Sequence, residues 1–149
     1  MELCIIYDDQ SGMELAYALT VCRGVYGYVL LKYFGVLPWY RDQGIGVNAM
    51  RLVNKHYADR QGILAEITVF DDDEDQTLRK LRKFFARFGY VQIESDYRIG
   101  GSEVELMVKP ICGSENIAPI AHRIINDFYG RVLNDSAYCR MIDIKRVKK

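Results

Sequence analysis

A chain of 149 residues, half of them apolar, has room for one domain with a substantial core. Lysine plus arginine equals aspartate plus glutamate, at 20 each, so no global field recruits nucleic acid or an anionic membrane, and neither is expected as a partner. No apolar run approaches the roughly 20 residues of a membrane span, and the first residues lack a basic-then-apolar signal pattern, so the expected compartment is the cytoplasm.

In chain order, residues 3–7 (LCIIY) form a short strand that ends in the polar cluster 8–12, and residues 13–22 resume an apolar strand, which predicts a hairpin. Arg23-Gly24 breaks the pattern before a long buried strand over 26–37 (YGYVLLKYFGVL). Pro38, with no N–H to donate, closes that strand. A helix over 46–60 follows, starting near Gly44. Ile45, Ala49, Leu52, Val53 and His56 lie on one stripe, and Asn48, Arg51, Lys55 and Asp59 on the wet one. Gly62 is placed as the residue that ends this helix, and 63–70 (ILAEITVF) as the next strand. Strand, helix, strand in this order implies a right-handed crossover to a parallel neighbour.

The acidic run 71–75 (DDDED) fails as a calcium loop, because Gln76 and Arg82 stand where that loop needs Gly and Glu. Acid ahead of a helix carrying Leu78, Leu81, Phe85 and Phe88, with basic residues further along, complements the helix dipole instead. Gly89 ends that helix. Segments 91–99 and 104–111 then read as an antiparallel pair across Gly100-Gly101-Ser102. From Ser114 a helix with Ile117, Ile120, Ala121, Ile124, Phe128 and Val132 on one stripe is expected, then a strand over 138–147 and a basic tail of Lys145, Arg146, Lys148 and Lys149. Cys4, Cys22, Cys112 and Cys139 show no CxxC pairing or regular spacing. They read as reduced core thiols, and no metal is expected. His56 and His122 read as ordinary helix-face histidines.

The informative stretch is 36–46, VLPWYRDQGIG, which joins the long strand to the first helix. The first amides of that helix lack intrahelical partners and point back into a turn where Gly44 and Gly46 present no side chain. Arg41 adds positive charge at the mouth, which suits a phosphate or pyrophosphate. A dinucleotide-binding fingerprint fits less well, since it wants Gly where Arg41 or Asp42 stands. In the middle of strand 63–70, Glu66 is a carboxylate among apolar residues. Burial should raise its pKa toward that of a base working through water, and the ordinary alternative is a salt bridge to an Arg on a neighbouring helix.

The spacing Arg41, Asp42, Gln43, Gly44, Ile45, Gly46, led by Val36-Leu37-Pro38, resembles the acyl-CoA pyrophosphate loop of the GCN5-related N-acetyltransferase (GNAT) superfamily. The segment 83–90, KFFARFGY, resembles the superfamily's second hallmark, and the likeness extends over residues 3–109. It implies an α/β mixed sheet of the GNAT-like acyl-CoA N-acyltransferase fold in a single domain, 1–149, with a core of about 1–111 and a C-terminal helical extension, 112–149. It implies acetyl-CoA as cosubstrate, no metal, and acetyl transfer to a small-molecule or peptide amine. The implied cofactor-binding set is Val36, Leu37, Arg41, Asp42, Gln43, Gly44, Ile45, Gly46, Val47 and Phe85. Glu66 is the candidate base.

The sequence departs from the superfamily pattern twice. Where many relatives have a tyrosine that protonates the departing thiolate, this chain has Phe85, with Tyr90 or Tyr33 as stand-ins and core packing as their ordinary role. The superfamily also has a strand and two helices before the point where this chain starts. The C-terminal helix is expected to cover the face they would leave bare, within the chain or across a homodimer. The alternative to an enzyme is a catalytically weak or inactive acyl-CoA-binding sensor or interaction module.

Overall fold

The computed structural model describes residues 1–22, 24, 26–68, 74–94, 96–112, 117, 120–133 and 142–145. Its elements are β1 (Glu2–Tyr7), β2 (Glu14–Val21), β3 (Tyr28–Val36), α1 (Ile45–His56), β4 (Gly62–Thr68), α2 (Glu74–Ala86), β5 (Val91–Ile93), β6 (Asp96–Ile99), β7 (Ser102–Pro110), α3 (Ala121–Val132) and β8 (Ile142–Lys145). A 3-10 turn, Pro38–Tyr40, precedes α1. The strands form one mixed sheet in the order β1-β2-β3-β4-β7-β6-β8, with β5 also paired to β7. Every described pairing is antiparallel except β3 with β4, which run parallel from Tyr28 opposite Gly62 to Leu31 opposite Ala65. This is the α/β mixed sheet that the resemblance implies, with the parallel neighbours that the strand, helix, strand order implies.

The period of two along each strand sorts the core onto two faces. Val29 and Leu31 of β3 and Ile63, Ala65 and Ile67 of β4 pack with Met50 and Val53 of α1 and Phe85 of α2. Their neighbours Tyr28, Leu30 and Leu64, with Leu106 and Val108 of β7, pack against Ala121, Ile124, Ile125, Phe128 and Tyr129 of α3. The C-terminal helix therefore covers the middle of the second face, as expected. It leaves that face bare over β1 and β2, where Leu3 is 59% exposed and Ile5, Tyr7 and Tyr17 also reach solvent.

Several boundaries differ from expectation. α1 stops at His56 because Tyr57 turns into the core, where its hydroxyl lies 2.6 Å from Thr20 Oγ1. The buried stripe of α1 is Ala49, Met50 and Val53, with Leu52 exposed, a slight rotation from the expected face. The described helix α3 starts at Ala121; Ser114 itself lies outside the described residues. β8 falls inside the expected strand 138–147, whose residues 138–141 and 146–147 are outside the described set. So are Val69 and Phe70, acids 71–73, Cys139 and the basic tail beyond Lys145, and nothing describes the side chains of Glu74, Asp75 or Lys145.

Cys4 and Cys22 are half-buried and Cys112 is exposed, so, against expectation, none of these three thiols is fully buried in the core. Cys4, opposite Ala18, and Cys22 pack at the margin of the core, where both thiols meet the exposed Glu2 carboxylate. Among the described residues, no helix is long and apolar enough to cross a membrane.

Candidate active site

The parallel pairing of β3 with β4 ends at Leu31 and Ala65, yet both strands continue, β3 to Val36 along β2 and β4 to Thr68 along β7. A wedge opens between them. The edges of Lys32 to Val36 and Glu66 to Thr68 that face each other carry backbone groups with no ladder between them, a slot in which an extended amide-bearing chain can pair.

At the apex of that wedge lie Lys32 and Glu66, each one residue past the last parallel pair. The Glu66 carboxylate is 3% exposed and forms an ion pair with the Lys32 ammonium. The Tyr129 hydroxyl of α3 lies 2.9 Å from both Glu66 carboxylate oxygens and also hydrogen-bonds Lys32. Burial pushes the Glu66 pKa above its ordinary value, with the Lys32 charge and the hydrogen bonds pulling against that shift. The Tyr129 phenol is pushed up as well, by burial first and by the carboxylate beside it. The partner of Glu66 is thus a lysine on the adjacent strand and a tyrosine on α3, in place of an arginine on a helix. Beside this cluster, Leu19, Val21, Leu30, Tyr33 and Phe128 line a small cavity of about 90 Å³ that both Lys32 and Tyr129 reach.

At the open end of the wedge the chain turns from β3 into α1. Asp42 and Gly44 both have positive φ, at 61° and 77°, and Gly44 is the N-cap without a side-chain hydrogen bond. Val47 and Asn48 donate to Gly44 O at 3.1 and 3.4 Å; among the described residues, no carbonyl partner is found for the amides of Gln43, Gly44, Ile45 and Gly46. These are unspent donors at the positive end of a helix. Gly46 packs α1 against the end of β3, because a Cβ there would meet Val36 Cγ2 at 3.4 Å and the Phe84 ring at 3.8 Å. Arg41 folds back so that its Nε donates to Val36 O at 3.3 Å, and Gln43 donates to Trp39 O at 3.1 Å. Leu37 N donates to Leu15 O at 2.9 Å, tying the turn to β2.

Phe85 lies in the core, its ring 5.1 Å from Tyr90 and 5.7 Å from Phe84. Phe84 is the ring that stacks on Phe34 of β3, with centroids 5.8 Å apart. The Tyr90 hydroxyl donates to Asn54 Oδ1 of α1 at 2.9 Å, and burial raises its pKa. Tyr33 is exposed on β3. The structure therefore brings Val36, Arg41 and the 42–47 turn to one end of the wedge and Glu66 to the other, with Tyr90 behind Phe85. Sequence reasoning missed Lys32 and Tyr129. A lone lysine inside YVLLKYF, on a strand parallel to one with a lone glutamate, was the available signal for the first.

No protein-family model matches the sequence, and no curated protein is similar to it at a significant level. Solved structures do match in three dimensions. Spermidine N-acetyltransferase from Vibrio cholerae, in complex with CoA and spermine, superimposes with a TM-score of 0.58 at 8% identity over 73% of this chain and 64% of that one. Aminoglycoside 6'-N-acetyltransferase complexed with coenzyme A gives 0.57 at 14% identity over 77% and 76%. Nourseothricin acetyltransferase gives 0.55 at 16% over 74% and 65%, so the chain spans about two thirds of the length of such proteins. At these identities the likeness is one of architecture: the chain has the fold of the GNAT superfamily.

Proposed function

We propose that the chain is an N-acetyltransferase of the cytoplasm that takes its acetyl group from acetyl-CoA and passes it to a small-molecule or peptide amine. The observation that carries this reading is the pairing of β3 with β4 that stops at Leu31 and Ala65, with unspent amides of the 43–46 turn at the open end of the same wedge. In this reading the turn from Arg41 to Val47 holds the pyrophosphate, Val36 and Leu37 border the pantetheine arm, and Phe85 backs the slot from α2. Bound there, acetyl-CoA supplies an activated thioester acyl group.

Glu66 serves as the base, taking the ammonium proton of the acceptor through a water, while Lys32 and Tyr129 hold the carboxylate in place. Its raised pKa makes it a better proton acceptor than an ordinary carboxylate. Tyr90 acts as the acid only if its hydroxyl leaves Asn54, and we favour departure of the thiolate unaided, at a thiol pKa of about 8.5. The apolar cavity beside the Lys32 ammonium favours an apolar acceptor over a polycation.

A second reading, an acyl-CoA-binding module with little or no turnover, is favoured by the phenyl ring of Phe85 and by the near-complete burial of Glu66. Calorimetry with acetyl-CoA shows binding under both readings, and free-thiol release across a panel of amines appears only for the enzyme. Absence of acetyl-CoA binding overturns both. We also propose that two copies pair through the bare face of β1 and β2, because β1 is an edge strand and its apolar side chains lie open beside it.

A further inference from the structure

At the opposite end of α1 from the turn, three potential metal ligands converge, Glu2, Cys4 and His56, with Cys22 as a fourth beside Glu2. Glu2 and Cys4 lie two residues apart on β1, so they share a face. The register sets Glu2 opposite Thr20, which brings Cys22, two residues beyond Thr20, to the same place. His56, the last residue of α1, reaches it from the helix that packs over this face. His56 Nε2 lies 3.1 Å from Glu2 Oε1, Cys4 Sγ 3.9 Å from the same oxygen, and Cys22 Sγ 3.3 Å from Glu2 Oε2. The donor atoms of Glu2, Cys4 and His56 all fall within 4.8 Å of one another.

We propose that Glu2, Cys4, Cys22 and His56 bind a zinc ion that clasps the edge strand β1 to the end of β2 and the end of α1. A tetrahedral zinc with Zn–S of about 2.3 Å and Zn–N or Zn–O of about 2.0–2.1 Å spaces neighbouring donors roughly 3.3–3.8 Å apart. His56 and Cys4 stand 3.1 and 3.9 Å from Glu2 Oε1, close to that range, while Cys22 stands 3.3 Å from Glu2 Oε2, so a rotation of the Cys22 side chain toward the other three donors closes the site. Two thiols, an imidazole and a carboxylate are a borderline-soft set that selects zinc over magnesium or calcium. The carboxylate is already oriented: the Tyr57 hydroxyl donates to Glu2 Oε2 at 3.2 Å and is itself 2.6 Å from Thr20 Oγ1, the outer partner a ligating carboxylate needs. Glu2 and His56 are half-exposed, which leaves a path for the ion. Binding replaces the two thiol protons with metal–sulfur bonds and releases those protons to solvent, with no change of oxidation state. This site does not depend on the acetyltransferase reading.

The test titrates the reduced full-length protein with Co²⁺ and Zn²⁺. One equivalent of Co²⁺ should give the intense visible bands of a tetrahedral site together with a thiolate-to-metal charge-transfer band, and Zn²⁺ should bleach both. Zinc should also protect Cys4 and Cys22 from a thiol reagent, leaving Cys112 as the reactive internal control. Cys4→Ser, Cys22→Ser and His56→Ala should each weaken Zn²⁺ at least tenfold, with circular dichroism confirming that the variants fold. A pale octahedral cobalt spectrum, unprotected thiols, or variants that bind as tightly as the parent would overturn the site. So would a Cys4–Cys22 disulfide that forms in air and is unaffected by zinc.

Discussion

Lys32 and Glu66 stand one residue beyond the last parallel pair of β3 and β4 and meet across the point where the sheet opens, the carboxylate sealed inward and the ammonium reaching toward the cavity. A buried ion pair offsets its desolvation only when its remaining hydrogen-bonding positions find partners, and here Tyr129 donates to the carboxylate and accepts from the ammonium. The C-terminal helix therefore completes a polar cluster at the centre of the sheet as well as covering its apolar face.

If Glu66 is the base, Glu66→Gln should lower the rate of acetyl transfer by about 10²- to 10⁴-fold with little change in acetyl-CoA affinity. The pH dependence separates this role from a structural one. Burial raises the folded-state pKa above a glutamate's ordinary 4.5, so the rate should climb with pH to a plateau whose midpoint lies above 4.5, and the Gln variant should lose that limb. Stability should move the other way. Above 4.5 the unfolded chain has released this proton while the folded one still holds it, so stability falls as pH rises through the raised value. Thermal melts across that window should show a slope in the parent that Glu66→Gln flattens. A catalytic profile identical in parent and variant would remove Glu66 from the chemistry.

The turn makes a contrast between two glycines. Gly44 has φ +77°, where an L side chain costs about 1–2 kcal/mol, whereas a Cβ at Gly46 meets Val36 only at an ordinary 3.4 Å. Gly44→Glu, which adds a negative charge beside the free amides, should weaken acetyl-CoA binding by about 100-fold or more. Gly46→Ala should bind almost normally. Arg41→Ala, removing one exposed charge, should cost about three- to tenfold. Calorimetry on all three, with circular dichroism as a folding control, checks the order, and equal affinities throughout would mean that this turn does not carry the pyrophosphate.

Much of the fold was legible because its signals are local. The period-two apolar runs, Pro38 closing a strand, Gly89 closing a helix and the Gly100-Gly101 turn each announce themselves within a few residues. What was not legible is tertiary. The end of α1 depends on Tyr57 finding Thr20, 37 residues away, and the partner of Glu66 depends on Tyr129 arriving from α3, 63 residues on. The half-buried thiols were misread for the same reason. Cys4 and Cys22 sit in apolar runs, and only the β1–β2 register shows that Glu2 lies beside both.

The fate of the departing thiolate can be read at Phe85. If no other group protonates it, Phe85→Tyr should raise a weak acetyltransferase rate by tenfold or more, provided the new hydroxyl faces the wedge. Phe85 packs against Tyr90, so the substitution also risks a buried unsatisfied hydroxyl, costing about 1–3 kcal/mol. Steady-state rates measured beside thermal midpoints separate the two effects. A destabilised variant with an unchanged rate would show that position 85 is not where the thiolate meets a proton.

The bare face bears on assembly. Leu3, Ile5, Tyr7 and Tyr17 lie on the side of β1 and β2 that α3 does not reach, and Tyr33 beside them on β3 is 60% exposed. Exposed apolar side chains side by side mark an interaction surface, and among the described residues no strand pairs with the outer edge of β1 along the same border. Sedimentation should show a dimer at micromolar concentration. In a two-fold interface residue 5 of one copy lies in the same patch as residue 5 of the other, so Ile5→Lys sets like charges near each other and should dissociate the pair. Because Ile5 points away from the core packed by Cys4 and Ile6, the variant should keep the melting behaviour expected of its monomer. A parent protein that sediments as a compact monomer over the whole micromolar range would exclude this mode of pairing.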